Sequence, residues 1–260
     1  MRYLKLWLKI FTTSLKEEIE FRTNFILELL IDACWFSSII VMFEGVSRLT
    51  QLSNNWTPAH FRFFAGIVFL TDALFAILAF FNFENFADRV ANGTLDALLT
   101  KPVDSQFLAS LEKSSPPQTI SATLSVMWIF WAASQIPDFQ YLKLLWLILL
   151  IPCGVWIHIS LRLIIASFNI RHTRLDSLGW VWYQFYRMSQ RPDYLYGPTL
   201  QRLFRTLIPI SFLSSVPSLV VLGNEHYWLG LCAPIVAIVF HVLARNFWLS
   251  SLKNYTSASS

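Results

Sequence analysis

Long apolar stretches alternate with short polar connections along most of this chain. Six stretches are about 20 residues long and nearly free of Asp, Glu, Lys and Arg. A helix needs about 20 mostly apolar residues to cross a bilayer. The pattern therefore predicts an all-α integral membrane protein with a single transmembrane domain over residues 1–260. The predicted spans are about 25–46, 61–83, 114–137, 144–168, 203–222 and 227–249.

Composition and charge agree with this class. Of the 260 residues, 55% are hydrophobic and 14% are charged, whereas soluble domains carry about 25% charged residues. Sixteen of the twenty Lys and Arg residues lie in the termini, in the connection after the second span and in the connection after the fourth. Such residues concentrate on the cytoplasmic side of membrane proteins. We therefore expect both termini in the cytoplasm, and the net charge of +4 gives no reason to expect a nucleic-acid partner.

Two segments outside the predicted spans have an interfacial character. Residues 1–24 place Lys5, Lys9 and Lys16 near helical spacing among apolar side chains, with Trp7 and Phe11 four residues apart. This predicts an amphipathic helix lying in the membrane interface, in contact with lipid. The connection 169–201 is dense in aromatic residues between 180 and 188, which predicts a second interfacial helix or a short re-entrant segment.

The connection after the second span has its own pattern. Residues 84–91 suit a short helix, and Gly93 is a good stop because glycine accepts the left-handed conformation after a last turn. Leu95 then begins a second short apolar face, which Pro102 ends. We expect a helix, a turn and a second helix on the cytoplasmic side.

Four charged residues and two prolines inside the predicted spans are candidates for a functional role. Charges inside a bilayer are costly and are candidates for function, so a pair between Arg162 and one of the acids would lower the cost of both. A packing role and a transport role both fit these groups. The prolines suggest a bent fifth span that lines a path, or an ordinary kink. The residues are Glu28, Asp32, Asp72 and Arg162, and the prolines are Pro209 and Pro217.

Sequence motifs of known catalytic and nucleotide-binding sites are absent. No GxxxxGK[ST], HExxH or GxSxG occurs in the chain, so we assign it no catalytic residue, no metal ligand and no cofactor of its own. The three cysteines lie far apart in apolar runs and suggest no disulfide or metal framework.

The segment from Val90 to Pro102, VANGTLDALLTKP, resembles the Ile-Arg-x-Gly-x-Leu-Asp-x-x-Leu-x-x-Pro signature of a bacterial ABC exporter family, the type-2 permeases. Ala91 stands where that family usually has Arg. The resemblance implies the transmembrane subunit of an exporter in the bacterial inner membrane. It also implies a second permease subunit, identical or homologous, and separate ATPase subunits that hold ATP and Mg²⁺.

In that family the connection after the second span is the coupling helix that contacts the ATPase. By this resemblance Phe86 and Val90 would seat in an apolar groove of the partner, and charged side chains would fix the register. The coupling residues implied are Glu84, Phe86, Asp88, Arg89, Val90, Gly93, Leu95, Asp96 and Pro102.

Two other functions fit parts of the sequence. An ion-coupled carrier or channel without ATP would use Glu28, Asp32, Asp72 and Arg162 as its relay. A membrane enzyme would need a cluster of His, Asp or Ser at one membrane face, and the sequence shows none that can be named.

Overall fold

The computed structural model describes residues 2–20, 22–49, 56–171, 176–223, 227–253 and 255. For residues 22, 46–49, 176 and 177 it describes the backbone alone. These residues form thirteen α-helices and three 3-10 helices, and no strand occurs among them. The α-helices are α1 Arg2–Glu20, α2 Arg22–Leu49, α3 Pro58–Leu78, α4 Phe80–Glu84, α5 Phe86–Ala91, α6 Leu95–Leu99, α7 Ser105–Leu111, α8 Gln118–Ser134, α9 Leu145–Arg171, α10 Asp176–Ser189, α11 Pro198–Thr206, α12 Ser215–Leu222 and α13 Tyr227–Leu252. The 3-10 helices are Tyr141–Leu144, Asp193–Leu195 and Ile210–Leu213.

Within the described residues, four helices are long and apolar enough to cross a membrane. They are Thr23–Gly45, Pro58–Leu78, Tyr141–Arg171 and Tyr227–Leu252. The chain is thus a multi-pass, all-helical membrane protein, and these helices coincide with the first, second, fourth and sixth predicted spans. Helix α8 has 17 residues and so extends about 26 Å at about 1.5 Å per residue. The count of six and the cytoplasmic termini stay predictions.

Helix α3 lies at the centre of the molecule. It packs against α2, α8 and α9, and Phe63 and Phe64 are completely buried. Gly66 sets its distance from α8, because a Cβ at this position would lie 2.7 Å from a side-chain carbon of Ile129. A larger residue at Gly66 would force these helices apart.

Helices α9 and α13 run parallel and define two ends of the molecule. The rings of Trp146 and Tyr227, near their first residues, stack with centroids 6.0 Å apart. Near their last residues, the Arg171 guanidinium donates to the hydroxyls of Ser250 and Ser251 at 2.6 and 3.0 Å. We call these the Trp146 end and the Arg171 end.

Helix α10 runs in the opposite direction, from the Arg171 end toward the Trp146 end. Its Tyr186 ring stacks on His158 in the middle of α9, with centroids 4.8 Å apart. Tyr194, just beyond α10, lies 4.9 Å from Trp56, which precedes α3. This course differs from the interfacial helix expected between residues 180 and 188, because α10 follows α9 along its length.

The segment 203–222 is divided, where the sequence suggested one bent helix. Helix α11 is tied to the Trp146 end, since Arg205 forms an ion pair with Asp193 at 2.7 Å. The 3-10 helix Ile210–Leu213 then enters the core against Gly154, where a Cβ would lie 2.7 Å from the Phe212 carbonyl oxygen. Helix α12 returns toward the Trp146 end, where Leu222 borders a cleft with Lys143.

The N-terminal helix α1 is strongly amphipathic and has no buried residue. It rests on the Arg171 end: the Tyr3 ring lies 4.9 Å from Phe107, and Arg2 donates to the Pro102 carbonyl oxygen at 3.4 Å. The predicted amphipathic helix is present, and its position in a membrane interface stays a prediction.

Candidate functional site

A cavity of about 790 Å³ opens between α2, α3, α9, α10 and the short helices at the Arg171 end. We call it the aromatic cavity. Aromatic and polar side chains share its wall. The aromatic lining residues are Trp35, Phe75, Phe80, Phe83, Trp180, Trp182, Tyr183 and Tyr186. The polar and charged lining residues are Asp72, Glu84, Asp88, His158, Arg162, Asn169 and Gln190.

Asp72 lies in this cavity at the level of the middle of α9. The Tyr186 hydroxyl donates to its Oδ1 atom at 2.6 Å. The His158 imidazole lies between the ring of Tyr186 and the ring of Phe75, with centroids 4.8 and 3.7 Å away. A column of stacked rings therefore positions one carboxylate at the cavity wall.

Arg162 follows His158 by one turn of α9. Its guanidinium lies 3.6 Å from the carboxylate of Glu84 and 5.6 Å from the centroid of Phe83. Arg162 was expected to pair with Glu28, Asp32 or Asp72, and the structure gives it Glu84 instead. Glu84 follows the second predicted span in sequence, and the parallel course of α3 and α9 brings it to the depth of Arg162.

Glu28 and Asp32 form a separate cluster between α2 and α8. The Ser115 hydroxyl donates to Glu28 at 2.7 Å, and the Ser121 hydroxyl donates to Asp32 at 2.9 Å. The Gln118 amide donates to both carboxylates, at 3.2 and 2.6 Å. We call this set the α2–α8 polar cluster. It joins two helices by side-chain hydrogen bonds, a common way to associate helices in a membrane.

The four charged residues singled out in the sequence thus fall into three groups. Glu28 and Asp32 share the α2–α8 polar cluster, Asp72 bonds Tyr186, and Arg162 pairs with Glu84. No chain of the hydrogen bonds described here links the first group to the others. This arrangement gives little support to a continuous relay through all four.

The segment 84–102 folds as a helix, a turn and a helix, as its pattern predicts. Gly93 has a φ of 70°, the left-handed conformation that glycine tolerates best. It separates α5 from α6. Pro102 is exposed beyond α6 and its carbonyl oxygen bonds Arg2 of α1.

The apolar side chains of this segment point into the protein. Phe86, Val90 and Leu95 are almost completely buried, and Phe86 meets the ring of Trp248 on α13 at 5.9 Å. The expectation that Phe86 and Val90 seat in a groove of a partner does not fit this burial. The groove that they fill belongs to this chain. The sequence shows that a side chain is apolar, but a contact 162 positions away decides which surface covers it.

Charged side chains of this segment also form ion pairs with another residue of the same chain. Glu112, beyond α7, pairs with Arg89 at 2.8 Å and with Lys101 at 2.6 Å. Burial alone would raise the pKa of Glu112, but hydrogen bonds from Lys101 and Arg89 outweigh it and hold the pKa below its usual range. Arg89 therefore braces α5 against α7, and Asp96 lies half-buried in the first turn of α6.

One surface of the segment stays open to solvent at the Arg171 end. We call it the coupling surface. Its exposed residues are Asp88, Ala91, Asn92, Thr94, Ala97, Thr100, Lys101 and Pro102. Glu84, Ala87 and Asp88 of the same segment line the aromatic cavity. Asp88 is exposed and also lines the cavity, so α4 and α5 connect the cavity with the coupling surface.

Pro209 and Pro217 do not bend a single helix, although the sequence suggested that they would. Pro209 precedes the buried 3-10 helix and has a ψ of 49°, which ends the helical path after α11. Pro217 is the third residue of α12, where a helix has no partner for the backbone N–H that proline lacks. The break in the chain path lies before α12, at Pro209 and Ser214.

The sequence reasoning missed His158, Tyr186 and Gln118 as members of polar sites. A polar residue in an otherwise apolar span was the available signal for His158 and Gln118. Tyr186 gave no signal of its own, because it sits among five aromatic residues whose partners depend on the direction of α10.

Comparison with known proteins gives one finding. A family model of ABC-2 family transporter proteins matches residues 29–259. The curated proteins contain no match, and neither do the solved structures. The match extends from α2 through α13 and includes both the aromatic cavity and the coupling surface. This chain belongs to the ABC-2 family of transporter proteins.

Proposed function

We propose that this chain is the non-catalytic transmembrane subunit of an ABC exporter in a bacterial inner membrane. It forms half of the translocation pathway with a second permease subunit, identical or homologous. Separate ATPase subunits bind ATP and Mg²⁺. The observation that carries the proposal, beyond the family itself, is the segment α4–α6, which has the cavity on one side and an open surface on the other.

If α10 is the fifth membrane crossing, the chain crosses the membrane six times. The crossings are then α2, α3, α8, α9, α10 and α13, with the Arg171 end and both termini in the cytoplasm. The segment 198–222 enters the core and returns on the outer side. Backbone of this kind is tolerated at membrane depth when protein buries it, and residues 209–218 are all buried.

This topology changes the charge count without reversing it. Arg187, Arg191, Arg202 and Arg205 move to the outer half, so twelve Lys and Arg residues remain inside and seven lie outside. Arg162 is the last of the twenty. The excess still favours cytoplasmic termini.

An ATPase would dock on the coupling surface. Movement of that surface would reach the cavity directly, because Glu84 on α4 pairs with Arg162 on α9. Closure of the ATPase pair would then shift α4 and α5 as a rigid unit and change the cavity wall. Phe86 and Val90 would hold this unit together from inside.

Purification in mild detergent tests the partner. We expect the tagged chain to bring down a stoichiometric chain with a Walker A motif, identified by mass spectrometry. Ala97→Arg, at an exposed position of α6, should abolish that recovery because the longer charged side chain blocks the surface. Gln140→Arg, exposed near the Trp146 end, is the matched control and should retain the ATPase. Recovery of the chain alone in several detergents would favour an ion-coupled carrier instead.

Cysteine labelling tests the fifth crossing. In a variant whose three native cysteines are replaced by alanine, we expect Thr199→Cys to react with an impermeant maleimide from outside the cell. Asn92→Cys should react only after the membrane is opened. Both positions are exposed on the protein. Equal protection of the two positions would mean that α10 does not cross the membrane.

A further inference from the structure

Two residues that line the aromatic cavity have a buried polar side-chain atom without a hydrogen-bond partner. His158 is 2% exposed and Asn169 is 8% exposed. His158 Nδ1 and Asn169 Oδ1 lack any hydrogen bond in the structure, and both residues line the cavity. Buried polar atoms without a partner are rare in native proteins, so a bound molecule is the natural partner for these two.

The chemistry of these atoms points to a donor on the ligand. The Asn169 Oδ1 atom is an acceptor, and Nδ1 of His158 is an acceptor when the ring carries its proton on Nε2. The two residues are eleven positions apart on α9, which corresponds to about 16 Å. A ligand that donates to His158 Nδ1 and also extends to Asn169 is therefore elongated.

The charges of the lining favour a cation. In the part of the chain that the structure describes, three acids line the cavity, Asp72, Glu84 and Asp88, and one Arg does, Arg162, which pairs with Glu84. Among the described residues, Asp72 contacts the Tyr186 hydroxyl and forms no ion pair. A carboxylate in low-polarity surroundings is stabilised by a positive charge within a few ångströms.

The aromatic lining favours the same class of ligand. Indole and phenol rings attract a cation over their faces and also accept an apolar body. Trp35, Trp182 and Tyr183 supply such rings around the polar groups.

We propose that the aromatic cavity binds an amphipathic primary or secondary ammonium ion. The ammonium group lies between Asp72 and His158 and donates an N–H to His158 Nδ1, while the apolar body packs on the rings toward Asn169. As a statement about transported cargo this rests on the proposed function, but binding itself needs neither ATP nor an ATPase.

Calorimetry with three probes tests the ligand class. The purified chain, with any subunits that accompany it, is titrated in phosphatidylcholine nanodiscs with 2-(1-naphthyl)ethylamine, with its N-trimethyl derivative and with 2-(1-naphthyl)ethanol. Empty nanodiscs give the blank. We expect the amine to bind about ten-fold more tightly than the alcohol. The quaternary ion should lie between them, because it keeps the charge and lacks the N–H. Equal affinity for amine and alcohol, or tighter binding of the alcohol, would overturn the proposal.

Variants locate the binding site. Asp72→Asn should weaken amine binding about ten-fold and leave alcohol binding unchanged. His158→Phe keeps the ring stack and should bring the affinity for the primary amine down to that for the quaternary ion. Asp138→Asn is the matched control, since Asp138 is an exposed acid with a φ of 54° that asparagine accepts readily.

Amine binding by these variants tests the binding site independently of the proposed function, which is tested by recovery of an ATPase. Unchanged amine binding in both Asp72→Asn and His158→Phe would overturn the site, even if the chain still purifies with an ATPase. Loss of amine binding in those variants would support the site even if no ATPase were recovered. If Asp72→Asn fails to fold, His158→Phe and the probe series decide the question.

Discussion

Two groups of carboxylates lie among apolar helices of this transporter, and their surroundings differ. In the α2–α8 polar cluster, Glu28 and Asp32 accept four hydrogen bonds from three side chains. In the aromatic cavity, Asp72 accepts one, from Tyr186. A carboxylate whose lone pairs are occupied by protein donors stabilises the structure, whereas one with free lone pairs beside a cavity is available to a ligand. Residue type and position in a span do not separate the two cases, but the partners do.

The same substitution at both acids should have unequal effects on stability. Asp32→Leu removes two bonds, at 2.6 and 2.9 Å, and leaves Ser121 without this acceptor. Hydrogen bonds between membrane helices contribute about 0.6–1.7 kcal/mol each, so we expect a loss of about 2 kcal/mol in the free energy of unfolding. Titration with SDS in mixed micelles measures it.

Thr123→Leu is the control for this change. Thr123 is exposed on α8 and its hydroxyl bonds within its own helix, so the free energy of unfolding should stay within about 0.5 kcal/mol of the wild type. If Asp32→Leu were as mild as Thr123→Leu, the α2–α8 polar cluster would not hold the helices together.

The sequence predicted the long helices well because their signal is local. The runs that became α2, α3, α9 and α13 contain enough apolar residues to identify a span without knowledge of neighbours. The turn at Gly93 was predictable for the same reason, since asparagine and glycine end a helix by backbone preference.

The contacts between helices were not predictable in this way. The sequence offered Arg162 three candidate acids inside the predicted spans, and the parallel course of α3 and α9 gave it Glu84 instead. Phe86 is apolar whether it meets Trp248 or a partner protein. Helix α10 looked interfacial because it is short and aromatic, and only its contacts with His158 and, through Tyr194, with Trp56 reveal its direction.

A second group of carboxylates with protein partners lies outside the helices long enough to cross a membrane, and it extends the comparison. Glu112 accepts bonds from Arg89 and Lys101, and its pKa lies below the ordinary value of 4.5. Asp104 behaves alike: burial alone would raise its pKa, but Arg245 and the Phe107 backbone lower it. A lowered pKa means that the folded state favours the ionised form, so this stabilisation is complete above about pH 4.5 and is lost as pH falls through the folded pKa.

Hydrogen exchange of residues 95–112 measures this dependence. We expect constant protection between pH 7 and pH 5.5 and a decline below about pH 4.5. Glu112→Gln should lower the free energy of opening by about 1 kcal/mol at pH 7, since the pairs are partly exposed. The double variant with Asp104→Asn, which keeps the helix cap, should make the profile flat. A decline that persists in the double variant would assign the pH dependence to other groups.

The smallest effect on stability is expected at the carboxylate that matters most for binding. Asp72→Leu removes one hydrogen bond, and the Tyr186 hydroxyl keeps Gln190 as a neighbour. Because a single hydrogen bond is lost and the Tyr186 hydroxyl keeps Gln190 nearby, the free energy of unfolding should change by less than about 1 kcal/mol. The SDS titration used for Asp32→Leu measures it, and amine binding by the same preparation should be lost. A loss of stability equal to that of Asp32→Leu would mean that Asp72 is a structural residue like Asp32, because a group kept for a ligand contributes little to the fold when the ligand is absent.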